Sequence, residues 1–179
     1  MNALALHDRY STGAIVLHWT IAALVLFNLI VGLFHESLLK GLPLMPAHKA
    51  IGIIVLVLTL ARIAWRLMYR PPALPADIRG WERGAAHGVH WALYALMLLL
   101  PISGWVMSSN PARPRPIDFF GLFEIPVLPA SGAMAGGAHE AHEILGLMMA
   151  ALAVLHIAAA LRHHFLLKDN VLRRMMPHG

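Results

Sequence analysis

The sequence predicts an all-α protein, a transmembrane four-helix bundle with both termini in the cytoplasm. Of its 179 residues, 59% are hydrophobic and only 13% are charged, whereas soluble domains carry about 25% charged residues. The apolar residues form four runs, each near or above the ~20 residues that a helix needs to cross a bilayer. Lysine and arginine are concentrated at one end of these runs, and this bias sets the orientation.

The four predicted spans form one domain, residues 1–179, and cover about residues 12–34, 46–67, 84–108 and 140–165. The second and third spans are separated by RPPALPADIRG, whose prolines cannot continue a helix. The third and fourth are separated by the longer NPARPRPIDFFGLFEIPVLPASGAMAGG. Its IDFFGLFEI stretch indicates an interfacial segment that lies across the end of the bundle.

The basic residues define the predicted topology. Of the 14 lysines and arginines, only Lys40, Lys49, Arg113 and Arg115 fall on the side opposite the termini. The positive-inside rule therefore predicts that both termini are in the cytoplasm. Because topology accounts for the formal charge of +5, nucleic acid is not an expected partner. We expect no cleavable signal peptide, since no separate apolar core with a small-residue cleavage site is present at the start.

The chain contains no cysteine. This excludes disulfides, cysteine-ligated iron–sulfur clusters and the covalent attachment of a c-type haem, which needs a C-x-x-C-H motif. Any metal or cofactor must therefore be held by other ligands, and the chain has 12 histidines.

Within the fourth span, the stretch HEILGLMMAALAVLH begins at His142 and ends at His156. Fourteen steps of 100° turn the helix by roughly 1400°, about 40° short of four turns, so both imidazoles lie on nearly one face. They are separated by about 21 Å along the axis, much of the roughly 30 Å hydrocarbon core. This face therefore presents a nitrogen ligand near each side of the membrane.

Depth matching suggests partners for these two histidines. His18 lies early in the first span and His156 late in the fourth, which places both near the cytoplasmic side. His48 begins the second span and matches His142 near the outer side. His90, with His87 one turn away, can compete with His18, and His139 can compete with His142. Spacing alone leaves these choices open.

Two imidazoles at each depth fit haem iron better than a bare metal ion. Zinc sites usually have four ligands, often with cysteine or a carboxylate, whereas opposed nitrogens suit the two axial positions of a porphyrin iron. Such a centre transfers electrons and cannot readily bind a substrate at the iron. The alternatives are histidines that only bridge packed helices, and a histidine-rich carrier of metal ions that contains no haem.

Gly32 lies fourteen residues after His18, and Arg62 lies fourteen residues after His48. Each is therefore on nearly the same helix face as its histidine, but near the opposite side of the membrane. A glycine would let a flat macrocycle approach the helix backbone closely. An arginine within a span is costly unless it is paired or reaches the interface. Arg62 therefore either pairs with a carboxylate such as a haem propionate or snorkels to the interface with Arg66 and Arg70.

Several motifs resemble the bacterial cytochrome b561 family: RYSTGAIVLHW, HKAIG, LPISGWVMSS and HEILG…LHIAAALRHHF…KDNVLRRMMP. The resemblance covers nearly the whole chain, from about Arg9 to Pro177. It implies a multi-pass inner-membrane protein with two b-type haems, whose axial ligands are the histidines in the matching motifs: His18, His48, His142 and His156. The resemblance therefore gives less weight to His90 and His139.

Stand-alone members of this family are quinone-linked oxidoreductases, and the resemblance implies oxidation of superoxide at the outer face with reduction of ubiquinone. A related group forms the cytochrome b subunit of hydrogenases and formate dehydrogenases, so an electron-transfer subunit is the alternative. The expected partners are membrane lipid, quinone and a small anionic donor, and a protein partner is possible but not required. No residue is assigned to a catalytic step.

Polar residues near the two faces are candidates for handling donor and acceptor. His163 and His164 lie about two turns beyond His156 and are candidates for quinone contact or proton delivery, followed by His87 and His90. The alternative is that RHHF is simply a polar helix end. On the outer side, Lys49, Arg113 and Arg115 would form a positive funnel for a small anion, or are scattered surface charges.

Overall fold

The computed structural model describes residues 9–69, 72 and 80–177, and four long helices dominate it. They are α1 (Thr12–Phe34), α2 (Met45–Met68), α3 (Gly80–Ser108) and α4 (Gly132–Arg162). All four are long and apolar enough to cross a membrane, which confirms the predicted transmembrane four-helix fold. Most of the connection between α2 and α3, including Arg70 and Arg79, lies outside the described residues.

The start of α4 differs from the prediction, since the helix begins at Gly132 rather than near residue 140. The hydroxyl of Ser131 accepts the backbone N–H of Met134 and caps the helix. The glycines of GAMAGG gave no apolar signal, yet the capped helix continues through them. At its other end α4 passes into a π-helical turn (His163–Leu167) that ends at Lys168 in the left-handed conformation.

The long outer connection folds into a small hairpin. Strand β1 (Ile117–Asp118) pairs antiparallel with β2 (Glu124–Ile125). The turn between them has positive φ at Phe120 and Gly121, and the Asp118 carboxylate accepts the N–H of Gly121. Ile117 is buried against the bundle, so the IDFFGLFEI segment is anchored at its base.

The bundle core is a layer of buried apolar side chains, and most of the outer surface is apolar as well. The core cluster consists of Ile21, Val55, Leu96, Met97 and Met149. Many large aliphatic and aromatic side chains on the outer faces of the helices are exposed, as expected for surfaces that contact lipid. The layer lies at mid-depth, since Met149 is seven residues from both His142 and His156.

At the end of the bundle that carries both termini, the helices are joined closely. The Trp65 indole donates to the Ser11 hydroxyl at 2.9 Å, and a β-carbon added to Gly13 would lie 2.2 Å from the same indole. Gly13 is therefore required for the close contact of α1 with α2. The C-terminal segment crosses α1, where the Trp19 indole donates to the carbonyl of Met175 at 2.7 Å.

Candidate haem-binding sites

Two pairs of imidazoles lie at the two depths. The ring centroids of His48 and His142 are 6.2 Å apart, with an angle of 76° between the ring planes. Those of His18 and His156 are also 6.2 Å apart, at 80°. Each pair joins α4 to another helix, α2 at the outer level and α1 at the inner level. The structure thus brings together the partners that depth matching suggested.

The separation of 6.2 Å fits a shared metal ion. Imidazole–metal bonds are about 2 Å long, and two imidazoles on opposite sides of one ion therefore have centroids about 6 Å apart. Imidazoles in direct contact can approach more closely, as His90 and His156 do at 5.4 Å. The two equal pairs have the residue type and the spacing that bis-histidine haem ligation requires.

A cavity of about 450 Å³ adjoins the outer pair, which is within the usual range for a cofactor pocket. Its wall includes residues of all four helices together with Ile117 of β1. His48 and His142 line it, and the glycines Gly32, Gly104 and Gly146 contribute backbone surface without side chains. Glycine at Gly32 and Gly104 leaves room for the rings of His48 and His142, which are the groups nearest to an added β-carbon.

The His142 ring is held by α3. Its Nδ1 lies 3.1 Å from the carbonyl oxygen of Leu100 and 3.0 Å from the hydroxyl oxygen of Ser103. A β-carbon on Gly104 would lie 3.2 Å from Cε1 of the ring, so the glycine leaves the space that the ring occupies. Sequence reasoning did not assign Leu100 or Ser103 to the site, although the LPISG motif contains both.

The His48 ring is held differently. Its Nδ1 is buried without a hydrogen-bond partner among the described residues, as is Oδ1 of Asn28. The Asn28 amide donates to the backbone carbonyl of His48 at 3.1 Å and so fixes the helix at this point. A β-carbon on Gly32 would lie 3.3 Å from Cε1 of His48. Both orphaned polar groups line the cavity.

The inner level contains a third imidazole. His90 of α3 lies closer to His156 than His18 does, so the competition foreseen from the sequence is present in the fold. The residues differ in burial, because His90 is exposed and His18 is half-buried. The Nδ1 atom of His18 is fully shielded and has no hydrogen-bond partner within the described part of the chain.

Arg62 lies at the inner level, as predicted from its position fourteen residues after His48. Its guanidinium carbon is 5.4 Å from the ring centroid of Tyr94, a cation–π arrangement, and its charge interacts with His18 and His156. Tyr94 was missed from the sequence because an aromatic residue in an apolar span gives no specific signal.

Two further histidines of the described residues, His139 and His87, lie outside the two pairs. Nε2 of His139 lies 3.4 Å from the Glu143 carboxylate, and both residues line the cavity. The ring that pairs with His48 is that of His142. The ring of His87 contacts the Arg83 carbonyl on its own helix at 2.8 Å.

The end of α4 contains a histidine–carboxylate pair. Nδ1 of His163 contacts Oδ2 of Asp169, and both side chains are largely buried. The other carboxylate oxygen accepts the N–H of Val171 at 3.0 Å. The adjacent His164 has a buried Nδ1 that contacts no hydrogen-bonding group in the described ranges. Asp169 was missed because it follows the last span, and its KDN context gave no metal or acid–base motif.

A membrane-spanning helical bundle with paired, half-buried imidazoles is typical of a membrane cytochrome of the b type. Residues 9–178 match the prokaryotic cytochrome b561 family, and the chain belongs to that family. It is therefore a multi-pass haem protein of the bacterial inner membrane that takes part in electron transfer as an oxidoreductase.

Several relatives match over almost their full length. Cytochrome b561 homolog 2 of Escherichia coli strain K12 is 33% identical over 94% of this chain and 92% of that protein. The probable superoxide oxidase CybB of Yersinia pestis is 33% identical over 96% and 98%. Cytochrome b562 of Cereibacter sphaeroides is 32% identical over 93% and 94%.

Proposed function

We propose that this protein is a di-haem cytochrome that oxidises superoxide at the outer face and reduces ubiquinone, with both termini in the cytoplasm. His48 and His142 hold the outer haem b, and His18 and His156 hold the inner one. One observation carries the proposal: imidazole pairs of equal separation, 6.2 Å, occur at both depths. A protein with one redox centre, or with none, would need only one such pair or neither.

The two haem groups would supply a chain of one-electron carriers between the faces of the membrane. The four paired histidines would provide the nitrogens that hold them, next to the glycine-lined cavity and the apolar layer at mid-depth. Arg62, on the ligand-bearing side of α2, is available to neutralise a propionate at the inner level. Pairing with Tyr94 alone is the alternative role for this arginine.

The outer face has the charge that a small anion requires. Lys49 is next to His48 and lines the cavity. Arg115 is near enough for the two positive charges to repel each other, so both contribute to a positive potential here. Arg115 is positioned by its backbone N–H, which donates to the carbonyl of Ser108 at 2.9 Å. Positive charge at a cleft raises the association rate of an anion by a factor of about 10–10³. A relative is named a probable superoxide oxidase, which favours superoxide as this anion.

The reaction requires proton delivery at the inner face. Two superoxide anions give two dioxygen molecules and two electrons, and ubiquinone takes these electrons with two protons to become ubiquinol. The Asp169 carboxylate orients the His163 ring through Nδ1, which leaves Nε2 to give and regain a proton. His164 is adjacent and is the second candidate for contact with a quinone carbonyl. His87 and His90 are the next candidates.

The test uses the full chain, purified in detergent after expression with ample haem supply. We expect two haems b per polypeptide, reduction of both by superoxide, and formation of ubiquinol when a soluble ubiquinone is added. A coloured protein that superoxide does not reduce, and that is isolated with a hydrogenase or formate dehydrogenase, would favour the electron-transfer subunit. A colourless protein would remove the haem proposal and favour the metal-ion carrier.

A further inference from the structure

Helix α3 supplies none of the four proposed ligands, yet it makes the most specific contacts with one of them. Residues 100–104, LPISG, form what we call the LPISG cradle. Within it the Leu100 carbonyl and the Ser103 hydroxyl both contact Nδ1 of His142, at 3.1 and 3.0 Å. Gly104 provides the space for the ring, since a β-carbon there would lie 3.5 Å from the same Nδ1.

These contacts specify the tautomer of His142. A carbonyl oxygen can only accept a hydrogen bond, so Nδ1 must carry the proton that Leu100 accepts. The Ser103 hydroxyl donates to the same carbonyl at 2.9 Å, which leaves its oxygen free to accept from Nδ1 as well. In this tautomer Nε2 has a free lone pair, the state that a metal ligand needs.

The cradle has no counterpart at two of the other proposed ligands. Nδ1 of His48 and Nδ1 of His18 are both buried and contact no hydrogen-bond acceptor in the described part of the chain. The outer level therefore contains an imidazole whose N–H is donated to two oxygen atoms, whereas the N–H of His18 at the inner level has no such acceptor. This difference is built into the backbone and side chains of α3.

We propose that the LPISG cradle lowers the reduction potential of the outer centre and so makes electron flow from the outer to the inner level favourable. This inference rests on the proposed di-haem function. An N–H donated to a carbonyl raises the basicity of the other ring nitrogen, and a more basic axial ligand stabilises the ferric over the ferrous state. Hydrogen bonding around axial ligands is one of the ways in which a protein tunes such potentials.

Ser103→Ala tests the cradle in the full-length holoprotein, by redox titration in lipid nanodiscs with optical and electron paramagnetic resonance detection. We expect the midpoint potential of the outer haem to rise and that of the inner haem to stay unchanged. Ser103→Thr keeps the hydroxyl and should restore the original value. Ser109→Ala is the matched control, because the Ser109 hydroxyl donates to Trp105 on the same helix and accepts from Leu128, away from His142.

The possible results separate this inference from the proposed function. Loss of the outer haem in Ser103→Ala but not in Ser103→Thr would show that the hydroxyl positions His142 for haem binding, and would overturn the inference that it sets the potential. An unchanged outer potential, equal shifts at both haems, or loss of the outer haem in both variants would overturn it. If the unmodified protein holds fewer than two haems, the proposed function fails first and the cradle inference fails with it.

Discussion

The outer and inner imidazole pairs have the same separation but different surroundings. The outer pair lies at a cavity lined by all four helices, and His142 is hydrogen-bonded to α3. The inner pair shares its level with a third imidazole, His90, and with the cation Arg62. At the outer level the fold therefore fixes the His142 ring by hydrogen bonds. At the inner level, His18 and His90 differ instead in their burial and both lie near the charge of Arg62.

The largest expected effect separates the two levels outright. His142→Ala should remove the outer haem and His156→Ala the inner haem, because each deletes one of the two proposed ligating nitrogens at its level. The haem content and the spectrum of each purified variant measure this. If either substitution removed both haems, or if both removed the same one, the assignment of two separate levels would be wrong.

The second prediction concerns the choice at the inner level. His18→Ala should remove the inner haem, whereas His90→Ala should leave two haems per chain, since His18 is the more buried ring and has the 6.2 Å separation found at the outer level. Pyridine haemochrome assays of both variants make the comparison. The opposite pattern would identify His90 as the ligand and leave His18 as a packing residue.

The third prediction tests the space beside His142. Gly104→Ala places a methyl group 3.2 Å from the ring and should weaken haem binding at the outer level about 10-fold, the lower end of the effect of disturbing groups that orient a metal ligand. Gly88→Ala is the matched control on the same helix, with nothing within 4 Å of the added carbon.

The control in this pair has an expected effect of its own. Alanine in place of an unconstrained helical glycine stabilises a helix by roughly 0.5–1 kcal/mol, so Gly88→Ala should unfold at a slightly higher temperature and keep both haems. Haem dissociation to apomyoglobin and thermal unfolding measure the two effects. Equal haem loss in both variants would show that the space at Gly104 is not specific to His142.

A smaller effect is expected at the inner face, in catalysis rather than in haem content. Asp169→Asn keeps an oxygen for the Val171 amide but removes the charge beside His163. We expect ubiquinone reduction to slow about 10-fold, below the 10²–10⁴ that a positioned acid or base can contribute. Stopped-flow reduction of the haems by superoxide should be unchanged. Slowing of both steps alike would show that the pair only stabilises the end of α4.

The smallest effect is expected at the outer rim. Lys49→Gln with Arg115→Gln should reduce the rate of haem reduction by superoxide a fewfold at low salt and bring it close to the unmodified rate at high salt, because screening weakens electrostatic steering. Lys40→Gln is the control, a basic residue predicted on the same side that neither lines the cavity nor interacts with Lys49. A rate that depends equally on all three residues, or on none, would argue against a local funnel.

The limits of prediction can be seen in particular residues. The spans were recognisable because a helix must stay apolar for about 20 residues to cross a bilayer, and α1 has the predicted bounds. The start of α4 was missed because the GAMAGG segment has no apolar pattern, and its helix depends on the Ser131 cap. The β1–β2 hairpin was expected only as an interfacial segment, since its turn depends on one carboxylate contact at Gly121.

The lengths of the hydrophobic runs were sufficient to predict four helices. The 3.6-residue helical period then predicted that His142 and His156 share one side of α4, at different depths along it. These are properties of one helix at a time and need no knowledge of its neighbours. The packed fold was required to bring Ser103, the Leu100 carbonyl, Tyr94 and Asp169 to their partners, and to reveal that three imidazoles meet at the inner level. Such contacts depend on the rotation and spacing of helices relative to each other, which arise from packing across the whole bundle rather than from any local pattern.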